Sequence, residues 1–391
     1  MTRQCRIDNR SPACLRRPVH LISYPFGMTA EQLISFARGA PSLDIIDVAG
    51  LKAAATRAFD ADPAGVTAYG TSVGYPPLRA WIARQHGVSV DQVLVTNGSL
   101  QADAFLFDHL VHPGDAVVVE KPTYDRTLLN LRDSGAKVHQ VSLDEHGLDV
   151  EELRDLLVSG VRPTLAHIIP NFQNPAGVTL SAERRVRLLE LAAEYDFVVF
   201  EDDPYADIRF RGEPLPSLLS MDTADRVVRA SSFTKTVCPG VRVGYLVGPK
   251  PLIAAIAKRA TNLYIAPGMV SEAIVHQFCV SGDIDRSIAT VNRALGERAR
   301  LLAAALREHI PGARFTEPDG GYFLWVELPE GVSAAKVAAA AAARGVAVVK
   351  GSDFLLEGGH SALRLAYSAV TADLVEEGVR RLAAAVADTE S

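Results

Sequence analysis

The chain has 391 residues, enough for two or three cores at roughly 100–200 residues each. Its 40 Lys+Arg against 46 Asp+Glu leave a formal charge of −6, which argues against a globally basic surface for nucleic acid or anionic membrane and favours small-molecule partners. The four cysteines, Cys5, Cys14, Cys238 and Cys279, have neither CxxC nor Cys/His spacing, so neither a disulfide framework nor a metal site is expected, and a reducing, cytoplasmic setting fits.

Arg3, Arg6, Arg10, Arg16 and Arg17 crowd the N-terminus, but no apolar run follows that would make a signal-peptide core. The expectation is an arm, free or embracing a partner, at the start of a segment 1–45 that helps complete a small lobe. Nothing later reaches the roughly 18 uninterrupted apolar residues of a membrane span. From about residue 90 short apolar runs alternate with helical periodicity, the pattern of a mostly parallel sheet covered by helices. The runs 93–96, 116–120, 137–141, 165–169, 197–201, 227–230 and 243–247 read as strands; 100–110, 151–158 and 182–195 read as helices, the last capped by Ser181. After residue 282 the texture changes: helix 284–309, strand 322–327, helix 334–343, strands 346–349 and 362–366, and a final helix 372–386. The expected organisation is α/β, a large lobe 46–282 and a smaller α+β lobe 283–391. There is no internal repeat or low-complexity linker.

Ser231-Ser232-Phe233-Thr234-Lys235, followed by Pro239-Gly240 and Arg242-Val243-Gly244, carries the strongest chemical signal. A lysine just beyond a buried strand is usually structural or solvated. Here a turn would place the Ser232 hydroxyl and the Arg242 guanidinium around a phosphate while the Lys235 amine reaches an aldehyde. Other short motifs are weak when taken singly. Thr96-Asn97-Gly98-Ser99-Leu100-Gln101 lies where a strand enters a helix, so N–H groups of Ser99 and Leu100 can face an anion; an ordinary N-cap would look the same. Asn171-Phe172-Gln173-Asn174-Pro175-Ala176-Gly177 is a turn signal. Lys121-Pro122-Thr123-Tyr124 starts a helix, and a lone tyrosine is more often packing. Asp202-Asp203-Pro204-Tyr205 ends a sheet strand. Leu363-Arg364-Leu365 places a cation among apolar neighbours, which demands a partner, either a fixed anionic ligand or a buried salt bridge.

In this order the motifs resemble the fold-type-I, pyridoxal-phosphate (PLP)-dependent aminotransferases of class I and II, over roughly residues 30–388. The wording looks closest to the branch of 2-aminoadipate and kynurenine aminotransferases and the aminotransferase-like domains of MocR-type regulators. Fewer than about forty residues precede the enzyme-like region, too few for a winged-helix DNA reader with its linker, so the regulator reading is not expected. The resemblance implies an aspartate-aminotransferase-like fold with a mostly parallel, seven-stranded sheet in the large domain. It implies that Lys235 carries PLP as a Schiff base and moves the substrate proton, with Asp202 on the pyridine nitrogen stabilising a quinonoid, and Tyr205 and Asn174 on the ring's phenolate oxygen. Tyr124 would stack on the ring; Ser99, Leu100, Gln101, Ser232 and Arg242 would hold the phosphate. Asp203 is expected to be a solvated turn residue.

Arg364 takes the place of the arginine that grips the substrate carboxylate. Phe36-Ala37-Arg38-Gly39 matches the entrance segment, where a backbone N–H near Gly39 meets that carboxylate. Arg38 departs from the usual small residue and either touches the substrate side chain or faces solvent. Tyr69-Gly70 through Leu78-Arg79 resembles the stretch whose tyrosine crosses a dimer interface, so Tyr69 belongs to the partner's site in a homodimer. The implied reaction moves an amino group from an L-amino acid to a 2-oxo acid. The alternative is PLP-dependent elimination, replacement, cyclisation or oxidation; Lys350, where the branch commonly has proline, and Arg38 hint at an atypical pocket. A PLP-fold binding module without turnover is the remaining reading.

Overall fold

The computed structural model describes residues 33–390, so the arginine-rich arm, Cys5 and Cys14 lie outside the described residues. A first short strand, β1 (Ile34–Ser35), belongs with the C-terminal part of the chain. The main sheet is built from β2 (Val93–Thr96), β3 (Ala116–Lys121), β4 (Lys137–Asp144), β5 (Gly147–Leu148), β6 (Pro163–Ile168), β7 (Val198–Asp202), β8 (Val227–Ser232) and β9 (Gly244–Val247). Its order is β2-β9-β8-β7-β6-β3-β4-β5. The pairs from β8 through β4 are parallel, and β9 runs antiparallel to both of its neighbours.

The centres of these strands are uninterrupted apolar runs, Val117, Val118 and Val119 among them, because both faces are covered. One face packs on helices Ser99–Leu110 and Lys250–Tyr264, the other on Val150–Val158 and Ala182–Tyr195. Ser181 caps the last of these, its side chain accepting from Arg184 N, as its sequence position predicts. All seven expected strands are present, and the sheet gains an eighth, β5. That strand is two residues long, too short to carry a period. It exists because Gly147 takes φ +88° after the Asp144-Glu145-His146 turn, where His146 N donates to Asp144 Oδ1 at 2.7 Å.

The C-terminal part carries β10 (Phe323–Glu327), β11 (Val346–Ala347), β12 (Val349–Lys350) and β13 (Ala362–Ala366). The antiparallel order is β10-β13-β12, while β11 pairs in parallel with β1. The expected single strand 346–349 is therefore two: the chain leaves one sheet at Ala347 and joins the other at Val349, and a run of similar residues does not reveal that change of partner. Helices Asp283–His309, Ala334–Ala343 and Ala372–Glu390 cover these strands around a core that includes Phe36, Leu302, Tyr322 and Val379. Among the described residues no helix is long and apolar enough to cross a membrane.

Candidate active site

Strands β3, β6, β7 and β8 end on the same edge of the main sheet, and the loops beyond them meet residues of β13 and the Phe36–Ala40 segment around a cavity of about 390 Å³. The strand β8 stops at Ser232, whose Oγ accepts from Thr234 N at 3.1 Å and donates to Thr234 Oγ1 at 2.8 Å. This turn brings Lys235 inward. The Lys235 Nζ donates to Gly39 O at 2.6 Å and lies 4.9 Å from the Tyr322 ring centre and 5.5 Å from that of Tyr205. Burial, the charge of Arg364 and then that of Arg242 push the amine's pKa down to about 8, against the opposing pull of Asp202.

A cradle for an anion lies beside it. The first N–H groups of helix Ser99–Leu110 have no intrahelical partners. Arg242, itself in the left-handed region at φ +51°, donates from Nη2 to Asn97 O at 3.1 Å across the same turn. Two glycines make this approach possible: a Cβ on Gly98, at φ +87°, would overlap the Arg242 guanidinium, and one on Gly244 would sit 2.5 Å from Ser99 N. Ser232, Thr234, Ser99 and Leu100 complete the lining.

Opposite the cradle Asp202 ends β7. Its Oδ2 lies 3.4 Å from His167 Nε2, and its Oδ1 is sealed from solvent with no hydrogen-bond partner. An unpaired buried carboxylate oxygen calls for a donor from a ligand. Tyr205 is buried against Tyr322 and Phe323, and that burial raises its phenol well above the ordinary value. Tyr124, just before helix Asp125–Asp133, is pushed up to about 12 by burial and by the carboxylates of Asp125, Asp202 and Asp103.

Arg364 closes the far side. It is 7% exposed, donates from Nη1 to Asn174 Oδ1 at 3.0 Å and from Nη2 to Ala37 O at 2.8 Å, and leaves Nε unpartnered. Its guanidinium lies between Phe323 and Phe354, at 4.4 and 4.8 Å from their ring centres. Among the described residues it has no salt bridge, which leaves the anionic ligand of the two partners its sequence position allows.

Lys235, Asp202, Tyr205, Tyr124, Asn174, Ser99, Leu100, Ser232, Arg242, Arg364 and Gly39 thus share one cavity. Three expected residues do not line it. The Gln101 side chain instead accepts from Asn97 N at 2.8 Å and stabilises the turn. Tyr69 is 91% exposed beside a separate recess, and Arg38 is exposed beside another that contains Leu43 and Cys238.

Asp203 corrects an expectation: it is not a solvated turn residue but 1% exposed, 3.0 Å from Arg229 Nη2, and accepts from Asn171 Nδ2 at 2.7 Å. The same network runs from the fully buried Arg185 through Asn171 to Asp203, Arg229 and Glu201, and fixes the turns that carry Asn174 and Asp202. Residues not foreseen include Thr234, Phe323, His167 and Asp103. For Asp103 a signal existed: four positions after Ser99, it lies on the same helix face, among residues otherwise apolar.

The donor set suits PLP: an amine of lowered pKa, an anion cradle that two glycines keep open, an orphaned carboxylate oxygen and an unpaired arginine. Comparisons with known proteins agree. A family model described as aminotransferase class I and II matches residues 31–382. The aromatic-amino-acid aminotransferase 1 of Thermococcus litoralis is 32% identical over 365 residues, covering 90% of this chain and 88% of that protein. The 2-aminoadipate transaminase of Thermus thermophilus is 32% identical over 359 residues, 90% of each. Among solved structures, the T. thermophilus alpha-aminoadipate aminotransferase LysN, complexed with N-(5'-phosphopyridoxyl)-L-leucine, superposes with a TM-score of 0.88 at 31% identity over 92% of this chain and 93% of that one. The chain belongs to the class I and II aminotransferases, and it is a PLP-dependent transferase of amino groups with the aspartate-aminotransferase-like fold.

Proposed function

We propose that Lys235, Asp202, Arg242 and Arg364 carry the amino-group transfer between an L-amino acid and a 2-oxo acid; the observation that supports this is their convergence on one cavity. When bound, PLP supplies an aldehyde that joins amines covalently and a pyridine ring that accepts the electrons released when a Cα–H bond breaks. Arg242, Ser232, Thr234 and the N–H groups of Ser99 and Leu100 bind its phosphate. Asp202 accepts from the ring nitrogen and keeps it protonated, while His167 holds the other Asp202 oxygen. Tyr124 covers one ring face. Asn174 spends its Oδ1 on Arg364, so its Nδ2 is left to donate, with the Tyr205 hydroxyl, to the ring oxygen. Arg364 and the Gly39 N–H orient the substrate carboxylate. Lys235, whose amine is free once substrate is bound, would be the base that takes the substrate Cα proton and holds it for return.

The working unit in this reading is a cytoplasmic homodimer in which Tyr69, exposed on its own protomer, reaches the partner's phosphate site. Lys235→Ala should lose covalent retention of the cofactor and nearly all turnover of an amino-acid panel supplied with 2-oxo acid acceptors; unchanged rates would remove Lys235 from this role. Mixing Lys235→Ala with Tyr69→Ala protomers should restore activity that neither variant has alone, because one site of each hybrid is then intact. No restoration in verified hybrids would count against the shared site.

A further inference from the structure

Asp103 faces the same cavity as Asp202 and has no role in the chemistry above. It is 2% exposed, its Oδ1 is enclosed without a hydrogen-bond partner, and no cation among the described residues pairs with it. Its helix neighbours Ala102, Phe105 and Leu106 are buried apolar side chains, so packing alone would be served by another one. A carboxyl in this place is costly to bury unless it finds a partner, and the cavity is the side from which one can come.

The surrounding charge decides its state. Asp202 lines the same cavity from the end of β7, its Oδ2 3.4 Å from Nε2 of His167 on β6, and the Tyr124 phenol is raised by the charges of both aspartates. Glu120 of β3 lies beyond, bonded by Gln173 Nε2 and Ile169 N, with its carboxyl raised to about 8 mainly by burial. Lys235 and Arg242 line other sides of the cavity. Burial first, and then the Asp202 charge, raise the Asp103 pKa well above the carboxylate range. Two desolvated carboxyls that line one cavity, with no cation bonded to Asp103, do not both ionise.

We propose that Asp103 is a second cofactor-positioning acid: a neutral carboxylic acid that donates toward the Asp202 carboxylate, so that the wall behind the ring presents one negative charge and not two. The proposal rests on the reading that Asp202 meets the ring nitrogen. Losing a hydrogen bond to a charged acceptor is worth about 1.5–3 kcal/mol, or about 10–150-fold in a binding constant.

The test uses full-length Asp103→Asn, Asp103→Leu and Asp202→Asn. Cofactor affinity and the visible absorbance of the bound cofactor are followed against pH, and melting of the cofactor-free variants reports folding. Asp103→Leu should bind PLP at least about tenfold more weakly. Asp103→Asn, which keeps a neutral donor, should recover most of that loss and should lack the spectral step that ionisation of Asp103 gives the wild type as pH rises. If Asp103→Asn shifts the spectrum at neutral pH, as loss of a charge would, the residue is ionised and the proposal fails. If Asp103→Leu binds like the wild type, or if Asp103→Asn is as defective as Asp103→Leu, it also fails. Asp202→Asn with wild-type affinity and spectrum would instead sink the reading of Asp202, so the two failures are distinguishable.

Discussion

Replacing Arg364 with lysine keeps a positive charge at the far side of the cavity but removes what the structure builds around it. The guanidinium already commits Nη1 to Asn174 and Nη2 to Ala37, and its Cζ lies 4.4 and 4.8 Å from the Phe323 and Phe354 ring centres. An ammonium fills neither the planar slot nor both hydrogen bonds while also gripping a carboxylate. One charge-assisted hydrogen bond to the substrate is worth about 1.5–3 kcal/mol, and each aromatic contact about 0.5–1 kcal/mol or more. The sum, about 2.5–5 kcal/mol, places the loss in kcat/KM at roughly 70- to 5,000-fold. The assay compares an amino-acid donor with the matching amine that lacks the carboxylate. The Arg364→Lys variant should lose most of its rate with the first and little of its slow rate with the second, with PLP affinity retained. An equal loss on both donors, or kcat/KM within about threefold of wild type on the amino acid, would refute the role given to this side chain.

Gly98→Ala should weaken PLP binding about tenfold or more, because the new Cβ overlaps the Arg242 guanidinium and the positive-φ backbone (φ +87°, ψ 160°) adds about 1–3 kcal/mol of strain; cofactor titration with a parallel melt separates the two effects. For Lys235 the pH dependence has a defined sign. Its folded pKa, about 8, lies below the ordinary 10.5, so the penalty for burying the ammonium is complete below about pH 8 and relieved as pH rises toward 10.5. Lys235→Met should therefore raise the Tm of the cofactor-free protein at neutral pH by a margin that shrinks in alkali; a pH-independent margin would contradict the shift. Asp203→Ala strands the buried Arg229 beside a single remaining carboxylate and should cost about 3–5 kcal/mol in urea unfolding; a cost under about 0.5 kcal/mol would show that the network carries no such weight.

The main-sheet strands were legible because each is a short apolar run bounded by turns, helix 182–195 because its period and its Ser181 cap are clean, and helix 334–343 because its run of alanines favours helix. The chemical residues were legible for a different reason: Lys235, Asp202, Asn174 and Arg364 stand in fixed local motifs. What stayed hidden depends on partners far along the chain. Asp203 reads as a turn residue until Arg229, on the neighbouring strand, is seen to approach it. His167 is one polar position in an apolar strand, and its value comes from Asp202 on the next strand, 3.4 Å away. Arg38 is separated from the cavity because the Phe36–Ala40 segment turns its side chain outward while Gly39 O meets Lys235. Neither periodicity nor motif spacing encodes these pairings.

The line from Arg185 to Glu201 bears on how this fold can be altered. Arg185 donates to Leu180 O, Pro216 O, Pro170 O and Asn171 Oδ1; Asn171 reaches Asp203; Arg229 ties Asp203 to Glu201; and Glu201 in turn accepts from Leu218 N and Leu219 N. Every member bonds to a neighbour from another element, so drift at one position strands a polar or charged group in a dry interior. Divergent sequences should exchange these residues in compensated sets. A designer who transplants the Asn171–Gly177 turn to a new scaffold would have to carry both arginines with it.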